Sequence, residues 1–232
     1  MADDWFTRYP GLEFTRHPEG VLLITIDRPA AMNATDAALH RALSRIWADV
    51  DDDPDTRVVV ITGKGKAFSA GGDLAWIETM VGNYAGMQAA FREAGDIVYG
   101  MTRCTKIIIS AINGVAVGAG LAVALMADIS LMAEEAKITD GHIRLGVAAG
   151  DHANIAAEKS ISLAAIHDSS RMVTATMERI LGTNTSVCSW IWVTACTMLT
   201  TRPTTRPAIM IGADIQTVVQ RASRPRSRTS ST

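Results

Sequence analysis

Residues 106–133 read KIIISAINGVAVGAGLAVALMADISLMA, and the fold turns on how that run is divided. From Ile107 to Met126 it carries no charge over about twenty residues, the length of a membrane-spanning helix. Asn113-Gly114 interrupts it, Gly118 and Gly120 follow closely, and Asp128 stands just beyond. These breakers divide it into a buried strand, a glycine turn, a helix of small residues and a further strand. The run is thus read as one unit of a soluble α/β protein.

The neighbouring segments repeat the pattern. VLLITID (21–27) is apolar and β-branched, as a strand should be, and RPAAMNATD ends it. From Asp36 onward Leu39, Leu43, Ile46 and Val50 recur at helical spacing. Thr35 is expected as the N-cap, with Asp36 complementing the positive helix end and DDDPD stopping the helix. RVVVITG (57–63) predicts a second buried strand. KAFSAGGDL then forms a glycine turn opening into a helix-compatible stretch, and residues 84–103 have helical pattern despite Gly86, Gly95 and Gly100. Strands alternating with helices imply parallel βαβ units with right-handed crossovers.

Beyond Ile155 the character changes. Residues 1–155 are read as the core, 156–220 as a divergent, partly helical region and 221–232 as a disordered basic tail with four arginines and no acid. TTRPTTRPAIM (200–210) is expected to resist both helix and strand.

A hydrophobic content of 48% supports a sizeable core, and a net charge of −2 argues against a nucleic-acid surface or a polybasic membrane anchor. Small molecules and other subunits are the expected partners. Three cysteines without C-x-x-C spacing predict no zinc site and fit a reduced, cytoplasmic setting. The acidic start MADDWFTRYPGLEF has no apolar run of the kind a secretory signal needs.

Two glycine-rich turns each follow a buried strand and open a helix. Helix starts leave N–H groups unpaired and carry partial positive charge, so such turns can hold an oxyanion or a phosphate. Neither turn has the spacing of a Walker A loop or a dinucleotide fingerprint, and close packing alone is the competing explanation of their glycines. Farther on, ITDGHIRLGVAAGD (138–151) gathers Asp140, His142 and Asp151, residue types that move protons but that also make turns.

Taken together, IDRPAAMNA (26–34), KAFSAGGDL (66–74), AINGVAVGAGLAVALMADISLMAEEAKI (111–138) and LGVAAGD (145–151) resemble the enoyl-CoA hydratase/isomerase, or crotonase, superfamily over residues 12–155. The resemblance implies the ClpP/crotonase fold, an α/β spiral of ββα units. It also implies a homotrimer or dimer of trimers, and an acyl-coenzyme A thioester as substrate with no metal and no further cofactor. Two backbone N–H groups would grip the thioester oxygen as it becomes an enolate, and they fall on Ala70 and Ala119. Gly71, Gly72, Gly118 and Ala122 would complete the binding turns, with Ala30 and Met32 nearest the coenzyme. Asp73 matches an aspartate expected to cap a helix.

The acid–base residues depart from the family pattern. The two glutamates of the hydratases correspond here to Ala122 and His142, so ordinary hydratase chemistry is in doubt. His142 and Asp151 are the replacements expected to move protons, Asp151 standing one position late. Three readings follow. The first is an acyl-CoA enzyme working through an enolate in fatty-acid or related acyl-CoA metabolism, and the second a non-catalytic acyl-CoA binder. The third is a chain changed by frameshift or fusion near residue 155, which would lose its trimer.

Overall fold

The computed structural model describes residues 4–142 and the backbone of 209–212. Strands β1 (Leu12–His17) and β2 (Val21–Ile26) pair antiparallel. Then α1 (Ala37–Asp52) crosses to β3 (Val58–Gly63), which pairs parallel with β2. A short β4 (Ala67–Ser69), α2 (Leu74–Glu78) and α3 (Tyr84–Arg103) lead to β5 (Ile107–Ile112), parallel to β3. The chain continues through β6 (Val115–Val117), α4 (Gly118–Met126), β7 (Ile129–Met132) and β8 (Ile138–Thr139). A last strand, β9 (Ile209–Gly212), lies antiparallel to β7. Two sheets result, a six-stranded one ordered β1-β2-β3-β5-β7-β9 and a parallel three-stranded one ordered β4-β6-β8.

Every residue of β3 and of β5 is buried, which explains why both read as unbroken apolar runs rather than alternating ones. On α1 the residues Leu39, Leu43, Ile46, Trp47 and Val50 are buried at helical spacing against the sheet and α3. Each such side chain stabilises the fold by roughly 1.5–3 kcal/mol on burial.

Several expectations change. The N-cap of α1 is Asp36, whose carboxylate accepts the Leu39 N–H at 2.8 Å. Thr35 is drawn instead into a bridge with Gly72, so its backbone is committed before the helix begins. The run from Ile107 holds two strands before its helix, and no helix among the described residues is long and apolar enough to cross a membrane. Ile209 and Met210, expected to resist regular structure, begin β9, where they pair with Met132 and Leu131 of β7. Elsewhere residues 143–208 and 213–232 fall outside the description, and with them the expectations for Asp151, the partly helical region and the basic tail.

Two close approaches around β4 need glycine. A Cβ at Gly120 would lie 2.3 Å from Ser69 Cβ, and one at Gly114 would lie 2.0 Å from the Lys66 carbonyl oxygen. Only hydrogen fits at either place, and that contact sets the start of α4 beside the end of β4.

Candidate functional site

The loop after β2 is anchored by Asn33, fully buried and in the left-handed region at φ 58°. Its Oδ1 accepts the Arg28 N–H at 2.9 Å, while Nδ2 donates to the carbonyls of Lys64 at 3.0 Å and Ala67 at 2.7 Å. An asparagine tolerates this backbone and supplies both donor and acceptor, which few other residues do. So fixed, the loop lays its backbone along the first glycine turn.

Three bonds follow. Ala70 N–H donates to Met32 O at 3.0 Å, Thr35 N–H to Gly71 O at 2.7 Å, and Asp73 N–H to Thr35 O at 3.0 Å. The pattern of a parallel bridge directs the Gly72 N–H away from Thr35, and no hydrogen bond among the described residues uses it. Ala70, expected as an oxyanion donor, therefore has its N–H occupied within the protein. Asp73 caps α2 as expected, its Oδ1 accepting from Ala75 N–H at 3.1 Å.

The second turn opens α4. Val117 stands at the N-cap without a side-chain hydrogen bond, so the first-turn amides of Gly118 and Ala119 keep the unpaired donors of a helix start. Gly118 has φ 52°, and a Cβ there would lie 3.7 Å from Gly71 Cα and 3.9 Å from Gly72 N. The Gly72 amide and the start of α4 are thus neighbours.

Both turns border a cavity of about 690 Å³. Ala70, Gly72, Gly118, Ala119 and His142 line it, and its apolar wall includes Trp76, Ile77, Met87 and Phe91. Gly71 and Ala122 are buried outside that lining, and Ala30 and Met32 are exposed on the preceding loop, also outside it. Ala122, at 2% exposure, fills the interior of α4 with a methyl group and offers no proton-transfer chemistry there.

His142 and Asp140 form a pair. Asp140 Oδ1 accepts the His142 N–H at 3.1 Å and also meets the ring Nδ1 in a short hydrogen bond. A carboxylate only accepts, so in this bond the His142 Nδ1 is the donor. The His142 side chain is 13% exposed, so it is largely withdrawn from water.

A second histidine in the cavity wall was not singled out in the sequence. His40 stands three residues from Leu43 and seven from Trp47, on the buried stripe of α1, and that spacing is the signal that could have marked it. Its Nδ1 lies 2.9 Å from Glu93 Oε2 on α3.

Cys104 is buried, and burial pushes its thiol up to about 12, so it is no nucleophile at neutral pH. Among the described residues no cluster of three His, Cys, Asp or Glu could hold a metal ion.

Comparison with known proteins agrees with this architecture. The family model described as enoyl-CoA hydratase/isomerase matches residues 16–178, past residue 155 where the resemblance in the sequence was drawn to stop. Mevalonyl-coenzyme A hydratase of Beauveria bassiana is 36% identical over 135 residues, covering 56% of this chain and 48% of that protein. (E)-benzylidenesuccinyl-CoA hydratase of Thauera aromatica is 36% identical over 140 residues, covering 60% and 52% respectively. The crystal structure of an enoyl-CoA hydratase/isomerase from Mycobacterium paratuberculosis superposes with a TM-score of 0.56 at 36% identity, covering 59% of this chain and 54% of that one. With two sheets, two apposed glycine turns and a family match over most of its length, the chain belongs to the enoyl-CoA hydratase/isomerase family and has the crotonase fold. It spans about half the length of the curated relatives it matches.

Proposed function

We propose that the chain binds an acyl-coenzyme A thioester and stabilises its enolate with the N–H groups of Gly72 and Ala119, Gly72 replacing the expected Ala70. The observation that carries this is the adjacency of the Gly72 amide and the α4 start on one cavity. Donors held in place before the reaction need no reorganisation as charge develops on the thioester oxygen, and each is worth roughly 3 kcal/mol in the transition state. The names of the relatives, hydratases of mevalonyl- and benzylidenesuccinyl-coenzyme A, support the same ligand class.

His142 is the proton-transfer group in this reading. Its Nε2 removes a proton from Cα of a 3-enoyl thioester, the electrons pass into the enolate held by the two amides, and the imidazolium returns the proton to the γ carbon. The double bond moves into conjugation and the ring ends as it began. One base suffices for this isomerisation, which fits a site where Ala122 has no acid–base function. Asp151 is kept as the competing base.

A second reading, a binder without turnover, is favoured by that same methyl group at Ala122. Incubation with crotonyl-CoA and with a 3-enoyl-CoA, followed through the conjugated thioester absorbance, separates the two. Turnover abolished by His142→Ala and retained by Asp151→Ala supports the first; binding without turnover supports the second. Assembly as a homotrimer or dimer of trimers belongs to the same proposal, and the mass in solution tests it.

A further inference from the structure

Arg28 opens the loop after β2, and Asn33 holds its backbone from two directions. The Arg28 N–H donates to Asn33 Oδ1 at 2.9 Å, and its carbonyl accepts the Asn33 N–H at 2.9 Å. From that fixed base the side chain reaches three places. Its Nη1 donates to the Ala34 carbonyl in a short hydrogen bond, and its Nη2 lies 3.1 Å from Asp36 Oδ2 and 3.5 Å from Asp73 Oδ2. Those two aspartates are the N-caps of α1 and α2. The guanidinium is 25% exposed and the carboxylates 34% and 24%, so water screens the group less than it screens an open surface pair. Arg28 lies outside the cavity lining, and the chemistry assigned to Gly72, Ala119 and His142 does not use it.

We infer that Arg28 is a positioning residue: it sets where the Gly72 amide stands by holding Asp73, the next residue, against the cap of α1. Two carboxylates that share one guanidinium nitrogen repel each other once the cation between them is removed. Asp73 is the one that gives way, because α2 has five residues and buries none, whereas α1 has sixteen and buries a full stripe. The bond from the Asp73 N–H to Thr35 O at 3.0 Å opposes the displacement but cancels no charge. Asp73 then carries Gly72 with it and takes one of the two donors off the thioester oxygen. Arginine suits the task, since its planar fork serves a carbonyl and two carboxylates at once. This inference rests on the acyl-coenzyme A reading and the Gly72 assignment above.

The test is the infrared spectrum of the full chain saturated with hexanoyl-CoA carrying carbon-13 at the thioester carbonyl. Arg28→Met, which keeps the length of the side chain and loses its charge, should reverse up to about half of the parent's shift to lower frequency, one donor of two being displaced. Arg28→Lys keeps the charge and should retain most of the shift. Asp36→Asn, placed in the Arg28→Met chain, should recover part of the loss, because it removes the repulsion and leaves a side chain able to cap α1. Should Arg28→Met fail to fold, Asp73→Asn, which keeps a cap on α2 and removes the charge that Arg28 holds, should reverse part of the shift by itself. A full shift in Arg28→Met, or in Asp73→Asn where that is the variant measured, would overturn the positioning role while leaving the Gly72 assignment intact. So would a loss that Arg28→Lys shares in full and Asp36→Asn does not relieve. A parent chain whose bound carbonyl keeps its frequency in water would overturn both.

Discussion

The Ala70 N–H donates to the Met32 carbonyl at 3.0 Å, while Gly72, two residues on, lines the cavity and its N–H is used by no hydrogen bond among the described residues. The bond depends on a loop that one buried side chain holds in place, and the site is only as well positioned as that loop.

Asn33→Ala removes three hydrogen bonds at once and leaves the buried carbonyl of Ala67 and the half-buried one of Lys64 without that donor. A loss of about 3 kcal/mol is expected, from net bond energies near 1 kcal/mol each plus the cost of the stranded carbonyls. Asn33→Asp should be no better, since a carboxylate cannot donate. Urea unfolding measures both; a loss below about 1 kcal/mol would show that the anchor is dispensable.

Gly120→Ala tests how closely the two turns must approach. In an unconstrained helix the change would stabilise by about 1 kcal/mol. Here the new methyl would meet Ser69 Cβ at 2.3 Å, so the sign should reverse, with about 1–3 kcal/mol lost to overpacking. Thermal unfolding decides: a higher midpoint would contradict the close packing of α4 on β4.

Asp53, which ends α1, gives a pH signature. Burial alone would raise its pKa, but Arg16, the Thr56 hydroxyl and the Asp55 N–H all donate to it and hold it below the ordinary value near 4. With the folded value below the unfolded one, its stabilisation is fully present above about pH 4 and is lost as the pH falls through the folded value. Asp53→Asn should therefore cost stability at neutral pH, and the gap from the parent should narrow below about pH 4. A gap that stays constant in urea titrations from neutral to acid pH would rule this out.

The Asp36 cap of α1 is expected to behave as a local feature. Asp36→Ala removes its bond to the Leu39 N–H at 2.8 Å and its ion pair with Arg28 at 3.1 Å. About 1 kcal/mol should be lost in denaturant unfolding, as at other N-caps, with little change in ligand affinity. A loss of binding as large as the loss of stability would tie the cap to the site.

The elements that could be read in the sequence were those with a long or one-sided apolar pattern. The buried runs of β3 and β5 and the Leu39–Val50 stripe announce themselves through composition and spacing. Strands of two or three residues, β4, β6 and β8, carry no period to detect, because their register comes from partners far along the chain. The turns themselves were visible through their glycines. That the Ala70 N–H is taken by the preceding loop was not, since this depends on the Ala70–Met32 bond across residues distant in sequence. The capping of α2 by Asp73 was legible because it is local, whereas His40 meets its partner on another helix.

The most direct measurement is the infrared difference spectrum of a bound acyl-CoA labelled with carbon-13 at the thioester carbonyl. Two amide donors should shift the carbonyl stretch to lower frequency, and Ala119→Pro, which removes one N–H in the first turn of α4 where proline is tolerated, should reverse part of that shift. A thioester that binds with its carbonyl at the frequency found in water, or a shift untouched by Ala119→Pro, would contradict the assignment of Gly72 and Ala119.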